Sequence, residues 1–226
     1  MRSLTTKLGL LVLGLALTGC GSSSNVPVGR LRVVHTSPNA PLVDVLVDNN
    51  RELASVPYKA SSPYLALLSG TRNIKVNAAG TTSSVINANV PIETGKDTTV
   101  LAVGRLAGIE PLVLSDNNTA PAAGNVKLRL VHSAPGAGNV DIYVTVPDAV
   151  LSVVPPTLTN IPFKGVSPYL SVPAGNYRVR ITPAGTKTVA IDSGTLSLAA
   201  GQIRTAVAVG DPSVDQALTA IVLADN

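Results

Sequence analysis

Two segments of this chain are near-copies of each other. Leu31-Arg32-Val33-Val34-His35-Thr36-Ser37-Pro38 returns as Leu128-Arg129-Leu130-Val131-His132-Ser133-Ala134-Pro135. Each copy continues into Val-Asp and an apolar residue, at Val43-Asp44-Val45 and Val140-Asp141-Ile142, and farther on into Ser-Pro-Tyr-Leu, at Ser62 to Leu65 and Ser167 to Leu170. The first pairs share a spacing of 97 residues. The last pair is spaced slightly farther apart, so the second copy carries extra residues between its motifs. A unit of that length is a domain rather than a solenoid turn. The duplication therefore demands a fold that one copy of about 90 to 100 residues can close around its own core.

Within each copy the hydrophobic period is two. Leu31, Val33 and His35 share one face of a strand, with Arg32 and Val34 on the other. Val43, Val45 and Val47 alternate with Asp44, Leu46 and Asp48, and the second copy repeats this with Val140, Ile142 and Val144 against Asp141 and Tyr143. Arg72 to Val76 and Tyr177 to Ile181 alternate as well, each preceded by a glycine, whereas Thr98–Val103 and Thr205–Val209 read as more buried strands. Short β-branched runs broken about every 8–12 residues by Gly, Pro, Asn and Ser define an all-β class. The expected architecture is two tandem Ig-like, Greek-key β-sandwiches, with no helical period after the amino-terminal segment.

That segment carries an address. Arg2 and Lys7 precede an apolar run of ten residues, Leu8–Leu17, too short to span a bilayer and shaped like a secretory signal. It ends in Leu17-Thr18-Gly19-Cys20, which resembles the lipobox of bacterial lipoproteins. The resemblance implies cleavage before Cys20, the single cysteine, and its lipidation. Several acyl chains anchor stably where one binds marginally. Residue 21 is Gly, not the Asp of inner-membrane retention, so the outer membrane is expected in a Gram-negative host and the outer face of the cell membrane otherwise. The expected division is then signal peptide 1–19, lipidated Cys and flexible tether 20–29, first sandwich 30–116, linker 117–125 and second sandwich 126–226.

Composition removes several function classes. The formal charge of +4 counts Arg2 and Lys7, so the mature chain is close to neutral and offers no basic stripe for nucleic acid. Hydrophobic residues make up 45%, yet they are Ala and Val spread over short strands, and no later run reaches the roughly 18 residues of a membrane span. There is no Trp, one Phe and five Tyr, few rings on which to stack sugars or bases. Phosphate-cradling glycine loops, zinc signatures and nucleophile elbows are missing from the sequence. No cofactor and no metal is expected, and no enzyme.

The duplicated polar residues are the candidates. His35 with Asp44, and His132 with Asp141, resemble a base and its orienting carboxylate. Each copy has a single His and no nucleophile beside it, however, and one His falls short of a metal's ligand set. The His lies on the apolar face and the Asp on the polar one, which points to an imidazole closing the core and bonding the backbone of the next turn. Tyr64 and Tyr169, opposite inward leucines, are expected to face out, either tied to a neighbouring loop or forming a binding strip. Ile191-Asp192-Ser193-Gly194-Thr195 resembles the active-site turn of aspartic proteases, but Ile86-Asn87-Ala88-Asn89 in the first copy supplies no second carboxylate.

The pattern of Arg32, His35, Ser37, Pro38, Pro41, Val43 and Asp44, followed by Ser-Pro-Tyr and a strand begun at glycine, resembles a bacterial family catalogued as domain of unknown function four-three-nine-seven. The second copy departs from it at Ala134 and Gly138. The resemblance covers nearly all of the mature chain and implies a secreted or surface-anchored β-domain, often in tandem, with no established activity. The expected function is a lipid-anchored envelope module meeting an envelope protein or matrix component. The alternative is a lipoprotein capturing a small glycan or peptide between its two domains.

Overall fold

The structure is a computed structural model that describes residues 26–226. The expected signal peptide, Cys20 and the expected tether up to Asn25 lie outside the described residues. The first repeat comprises β1 (Val28–His35), β2 (Val43–Val47), β3 (Asn50–Val56), β4 (Leu65–Leu68), β5 (Gly70–Ala78), β6 (Ser84–Ile92), β7 (Asp97–Val103) and β8 (Glu110–Asp116). The second comprises β9 (Asn125–His132), β10 (Val140–Thr145), β11 (Leu158–Ile161), β12 (Leu170–Pro173), β13 (Gly175–Pro183), β14 (Ile191–Leu198), β15 (Ile203–Asp211) and β16 (Gln216–Ala224). Three 3-10 turns are the only helical segments among the described residues, and none is long and apolar enough to cross a membrane.

Each repeat is a sandwich of two four-stranded sheets, β4-β1-β7-β8 on β3-β2-β5-β6, and β12-β9-β15-β16 on β11-β10-β13-β14. Neighbouring strands are antiparallel except β1 with β7 and β9 with β15, which run parallel. The period of two explains the layering. Leu31 and Val33 point inward to meet Val45, Val47, Ile74 and Val100. In the second copy Leu128 and Leu130 meet Ile142, Val179 and Ile181. Turn chemistry sets the joints: Asp48 and Asn49 both take positive φ, at 50° and 70°, so β2 and β3 close by the tight mirror-image turn that suits strand twist.

The two sandwiches stack on each other. The outward face of β1, β7 and β8 lies against the outward face of β9, β15 and β16, and the seam is an apolar cluster of Val34, Leu101, Val103 and Leu114 with Val131, Val207, Val209 and Leu223. Each of those eight residues is at most 6% exposed, and burial of such side chains contributes about 1.5–3 kcal/mol apiece. The seam accounts for the continuous burial of β7, all seven of whose residues are buried, since both of its faces are covered. The intervening segment is also tied down. Lys127 Nζ donates to Asn117 O at 2.7 Å, Asn117 Oδ1 at 2.9 Å and Thr119 O at 2.8 Å.

Candidate functional site

His35 and His132 end the strands that open each sandwich, and both are fully buried. His35 Nε2 lies 3.1 Å from Pro41 O, and His132 Nε2 lies 2.8 Å from Gly138 O. A carbonyl only accepts, so Nε2 carries the proton. Nδ1 then accepts from the backbone N–H two residues on, Ser37 or Ala134, at 3.4 Å in each copy. Burial pushes both imidazoles below their ordinary pKa, which keeps them neutral. Edge-on packing against Tyr58 and Phe163 closes the sites.

Asp44 and Asp141 do not meet these histidines. Asp44 accepts from Ser55 N at 2.8 Å and Gly80 N at 3.2 Å, and Asp141 accepts from Asn160 N at 2.7 Å and Gly185 N at 2.8 Å. Ser55 and Asn160 sit at φ of 52° and 53°, irregular points in β3 and β11, while Gly80 and Gly185 lie in the turn between the last two strands of that sheet. Each carboxylate therefore ties a kinked edge strand to a turn. The Ser55 amide, then that of Gly80, holds the Asp44 carboxyl below its ordinary pKa. Asp192 is taken up by Arg178 Nε at 2.8 Å and by Gly194 N at 3.0 Å on an exposed strand, so it is engaged as an ion pair and a turn acceptor.

The tyrosines turn toward the seam rather than out to solvent. Tyr64 OH donates to Asp116 Oδ2 at 2.7 Å, and its ring lies 4.7 Å from the Arg32 guanidinium. Tyr169 OH donates to Asp225 Oδ2 at 3.3 Å, with Arg129 likewise at 4.7 Å. Strand parity placed these rings on the outer face of the first sheet, and that face is the one the other repeat covers. Burial first, then the neighbouring Asp116, raises the Tyr64 phenol.

These tyrosines frame a cluster that sequence reasoning missed. Arg32 reaches across to Asp225 at 2.7 Å, and Arg129 reaches back to Asp116 at 2.5 Å. The two guanidiniums also donate to Ala224 O and Ser115 O in the opposite repeat. Thr99 Oγ1 accepts from Arg32 and donates to Asp116, and Thr205 does the same between Arg129 and Asp225. All four charged side chains are at most 3% exposed. Arg32 and Arg129 stand in the repeated motif beside outward valines. An outward strand face pairing a charge with an apolar residue was the available sign that something covers it.

The contacts are reciprocal, as in an isologous dimer. Equivalent residues meet each other near the symmetry axis: Thr36 Oγ1 accepts from Ser133 Oγ at 2.7 Å, and Arg105 Nε donates to Asp211 Oδ2 at 2.6 Å. Arg105 and Asp211 follow Gly104 and Gly210, both at positive φ, at the ends of the matching strands β7 and β15. Tyr58, half-buried near Asp211, has its phenol pushed up to about 12 chiefly by desolvation. The seam between the stacked faces is filled by buried apolar side chains, an arrangement that does not favour a small glycan or peptide held there.

The repeats differ on their outermost faces. In the second, residues 146–157 fold back over β10 and β13 and leave the outward Tyr143 only 1% exposed. Arg178 Nη1 donates to Pro147 O at 3.3 Å, Arg180 Nη2 to Ala149 O at 2.8 Å and Lys187 Nζ to Val154 O at 2.6 Å. In the first, the tight Asp48-Asn49 turn replaces that segment. It leaves a shallow cavity of about 630 Å³ lined by Asp44, Leu46, Arg51, Asn77 and the Gly80–Thr82 turn. No group of three His, Cys, Asp or Glu is placed to hold a metal among the described residues.

Tandem all-β sandwiches with a duplicated His, Asp and Ser-Pro-Tyr framework define the class. The family described as a domain of unknown function, DUF4397, matches residues 29–143 and again 148–226, and the chain belongs to that family. The second match begins inside the segment that covers the outer face, past β9 and β10. No curated protein matches the chain. Among solved structures, similarity extends to the Bacillus anthracis TIE protein, at 14% identity and a TM-score of 0.26, over 81% of this chain and 34% of that one. A leucine-rich repeat protein from Bacteroides thetaiotaomicron is similar at 15% identity and 0.22, over 79% and 26%. So is CBMbc, of family CBM26, from Eubacterium rectale Amy13K, determined in complex with maltoheptaose, at 10% and 0.27, over 87% and 97%. The chain thus spans about a third of the first of these proteins.

Proposed function

We propose that this chain is a lipid-anchored cell-envelope module that presents a rigid pair of sandwiches to a protein or matrix partner, with no catalytic step of its own. The observation that carries the reading is the fate of the duplicated polar residues. Every His, Asp and Tyr repeated between the copies is bonded to its own backbone or to the inter-repeat cluster, so the repeated pattern builds a scaffold and leaves recognition to surfaces that differ between copies. The anchor rests on Leu17-Thr18-Gly19-Cys20 and on the short apolar run before it. Lipidation at Cys20 attaches the module to the outer membrane of a Gram-negative host, or to the outer face of a single-membrane cell.

Cys20→Ser tests both parts. The wild-type chain is expected to partition into detergent, take up labelled fatty acid and crosslink to a defined envelope component in living cells. The variant is expected to lose all three. Equal aqueous partitioning of both forms refutes the anchor, and a wild-type chain without any crosslinked partner refutes the interaction module.

A further inference from the structure

The outer face of the second repeat is filled by the chain itself, and the matching face of the first is open. The strands align residue by residue: Leu46 corresponds to Tyr143, Lys75 to Arg180, Asn77 to Thr182 and Thr82 to Lys187. Leu46 pairs with Lys75 across β2 and β5, as Tyr143 pairs with Arg180 across β10 and β13, so each couple occupies the same spot on its face.

The covering segment shows what such a face holds. Residues 146–157 are rich in Val and Pro, with Pro147, Pro155 and Pro156, and include one fully seated side chain, Leu151, at 9% exposure. Val146, Val150 and Val153 point away, at 62%, 63% and 79% exposure. The sheet therefore grips main-chain carbonyls through three cationic side chains and accepts a single aliphatic anchor. Prolines lower the entropy lost when such a segment is ordered.

The first repeat keeps one of the three cations of that grip, with Asn73 in the place of Arg178. Lys75 stands where Arg180 donates to Ala149 O, and one of its protons is engaged by Asn49 Oδ1 at 2.7 Å, which leaves two for a ligand. Thr82 supplies a hydroxyl where Lys187 supplies an ammonium. Replacement of Tyr143 by the smaller Leu46 leaves an apolar floor in the cavity. Arg51, 62% exposed at its side chain and 3.5 Å from Asp44, stands at the rim.

We infer that the open outer face of the first repeat is a binding shelf for a turn-forming peptide rich in proline and small aliphatic residues, held by its main-chain carbonyls as the chain's own 146–157 segment, with its 3-10 turn at Leu151–Val153, is held on the second repeat. This deepens the interaction-module reading and rests on it, since it names the face and the chemistry of the partner.

The probe is a fluorescent peptide with the sequence of residues 146–157, titrated by anisotropy against the chain containing both repeats. Saturable binding is expected, absent for a scrambled peptide. Lys75→Ala removes a charge-assisted hydrogen bond and should weaken binding by about tenfold, with Thr82→Val weakening it less. Both residues are on the surface, and an unchanged melt shows that each variant is folded. Binding that survives both substitutions, or that rises only in Arg180→Ala, where the native segment is loosened, overturns the shelf. So does absence of saturable binding, or a neutral oligosaccharide that occupies the face in place of the peptide. If the peptide fails while the living-cell crosslink still identifies a partner, the module stands and this face is not its contact.

Discussion

Asp116→Ala removes the carboxylate that receives three donors: Arg129 Nη2 at 2.5 Å, Thr99 Oγ1 at 2.5 Å and Tyr64 OH at 2.7 Å. The Arg129 guanidinium is left 3% exposed, with its nearest remaining carboxylate oxygen, on Asp225, at 3.9 Å. Breaking one side of a buried pair in this way costs about 3–5 kcal/mol, because the orphaned charge keeps its desolvation penalty and loses its compensation. For a folding unit of this size, 1 kcal/mol corresponds to about 2–4 °C, so a fall in Tm on the order of 10 °C is expected. The assay is calorimetry at neutral pH with matched urea titrations. Because Asp116 belongs to the first repeat and Arg129 to the second, the whole transition should shift as one. Asp225→Ala should match it by the pseudo-symmetry. Replacing Arg32, Arg129, Asp116 and Asp225 together by aliphatic residues of similar volume should recover most of the loss, since no charge then remains buried. Asp192→Ala, whose partner Arg178 is solvent-exposed, should change little. A shift in Asp116→Ala below about 1 kcal/mol, or one confined to a first-repeat transition, refutes a buried cluster joining the repeats.

The histidines set an acid limit. Their folded pKa lies below the unfolded value near 6.5, so the unfolded chain binds more protons. Stability is then full above about pH 6.5 and declines below it by up to about 1.4 kcal/mol per pH unit and per histidine. Urea midpoints between pH 7 and 5 read this window above the range of the carboxylates, and a flat profile refutes the neutral imidazoles. Gly210 sits at φ 115°, and a Cβ there would lie 2.4 Å from Ala217 O, so Gly210→Ala should destabilise by more than about 1 kcal/mol. Gly201→Ala, also at positive φ but in open space, should cost less by the same melts. Arg105→Asp should loosen the seam by setting two carboxylates together, and adding Asp211→Arg should restore it. The disulfide yield of a Thr36→Cys, Ser133→Cys pair reports the closure, and equal yields in all backgrounds would remove Arg105 and Asp211 from that role.

Much of this architecture is legible in single residues. The alternation through Leu31, Val33 and His35 assigns one face to a core, because a strand turns successive side chains to opposite sides. The shared spacing of the two motifs implies two copies of one sandwich. The burial of His35 follows from its parity with two aliphatic residues. Asp44 and Asp141 are legible as polar-face residues, but their partners, Ser55 and Gly80 or Asn160 and Gly185, lie far along the chain and nothing local marks them.

What only tertiary structure decided is what the outward faces meet. Alternation along a strand says which residues share a face and is silent on whether water or another sheet lies over it. Arg32, Val34 and Tyr64 read as a solvated face until the second repeat covers them, and then the same residues become a buried ion cluster and an apolar seam. The parallel pairing of β1 with β7 is equally invisible, since hydrogen bonds between strands joined by long connections leave no local signature. The sequence alone determined two sandwiches, their cores and the duplicated turn chemistry, because those rest on short-range period and backbone sterics. The docking of one repeat on the other, the reciprocal Arg–Asp pairs and the contrast between one covered and one open outer face rest on contacts between distant residues, which exist only once the chain is folded.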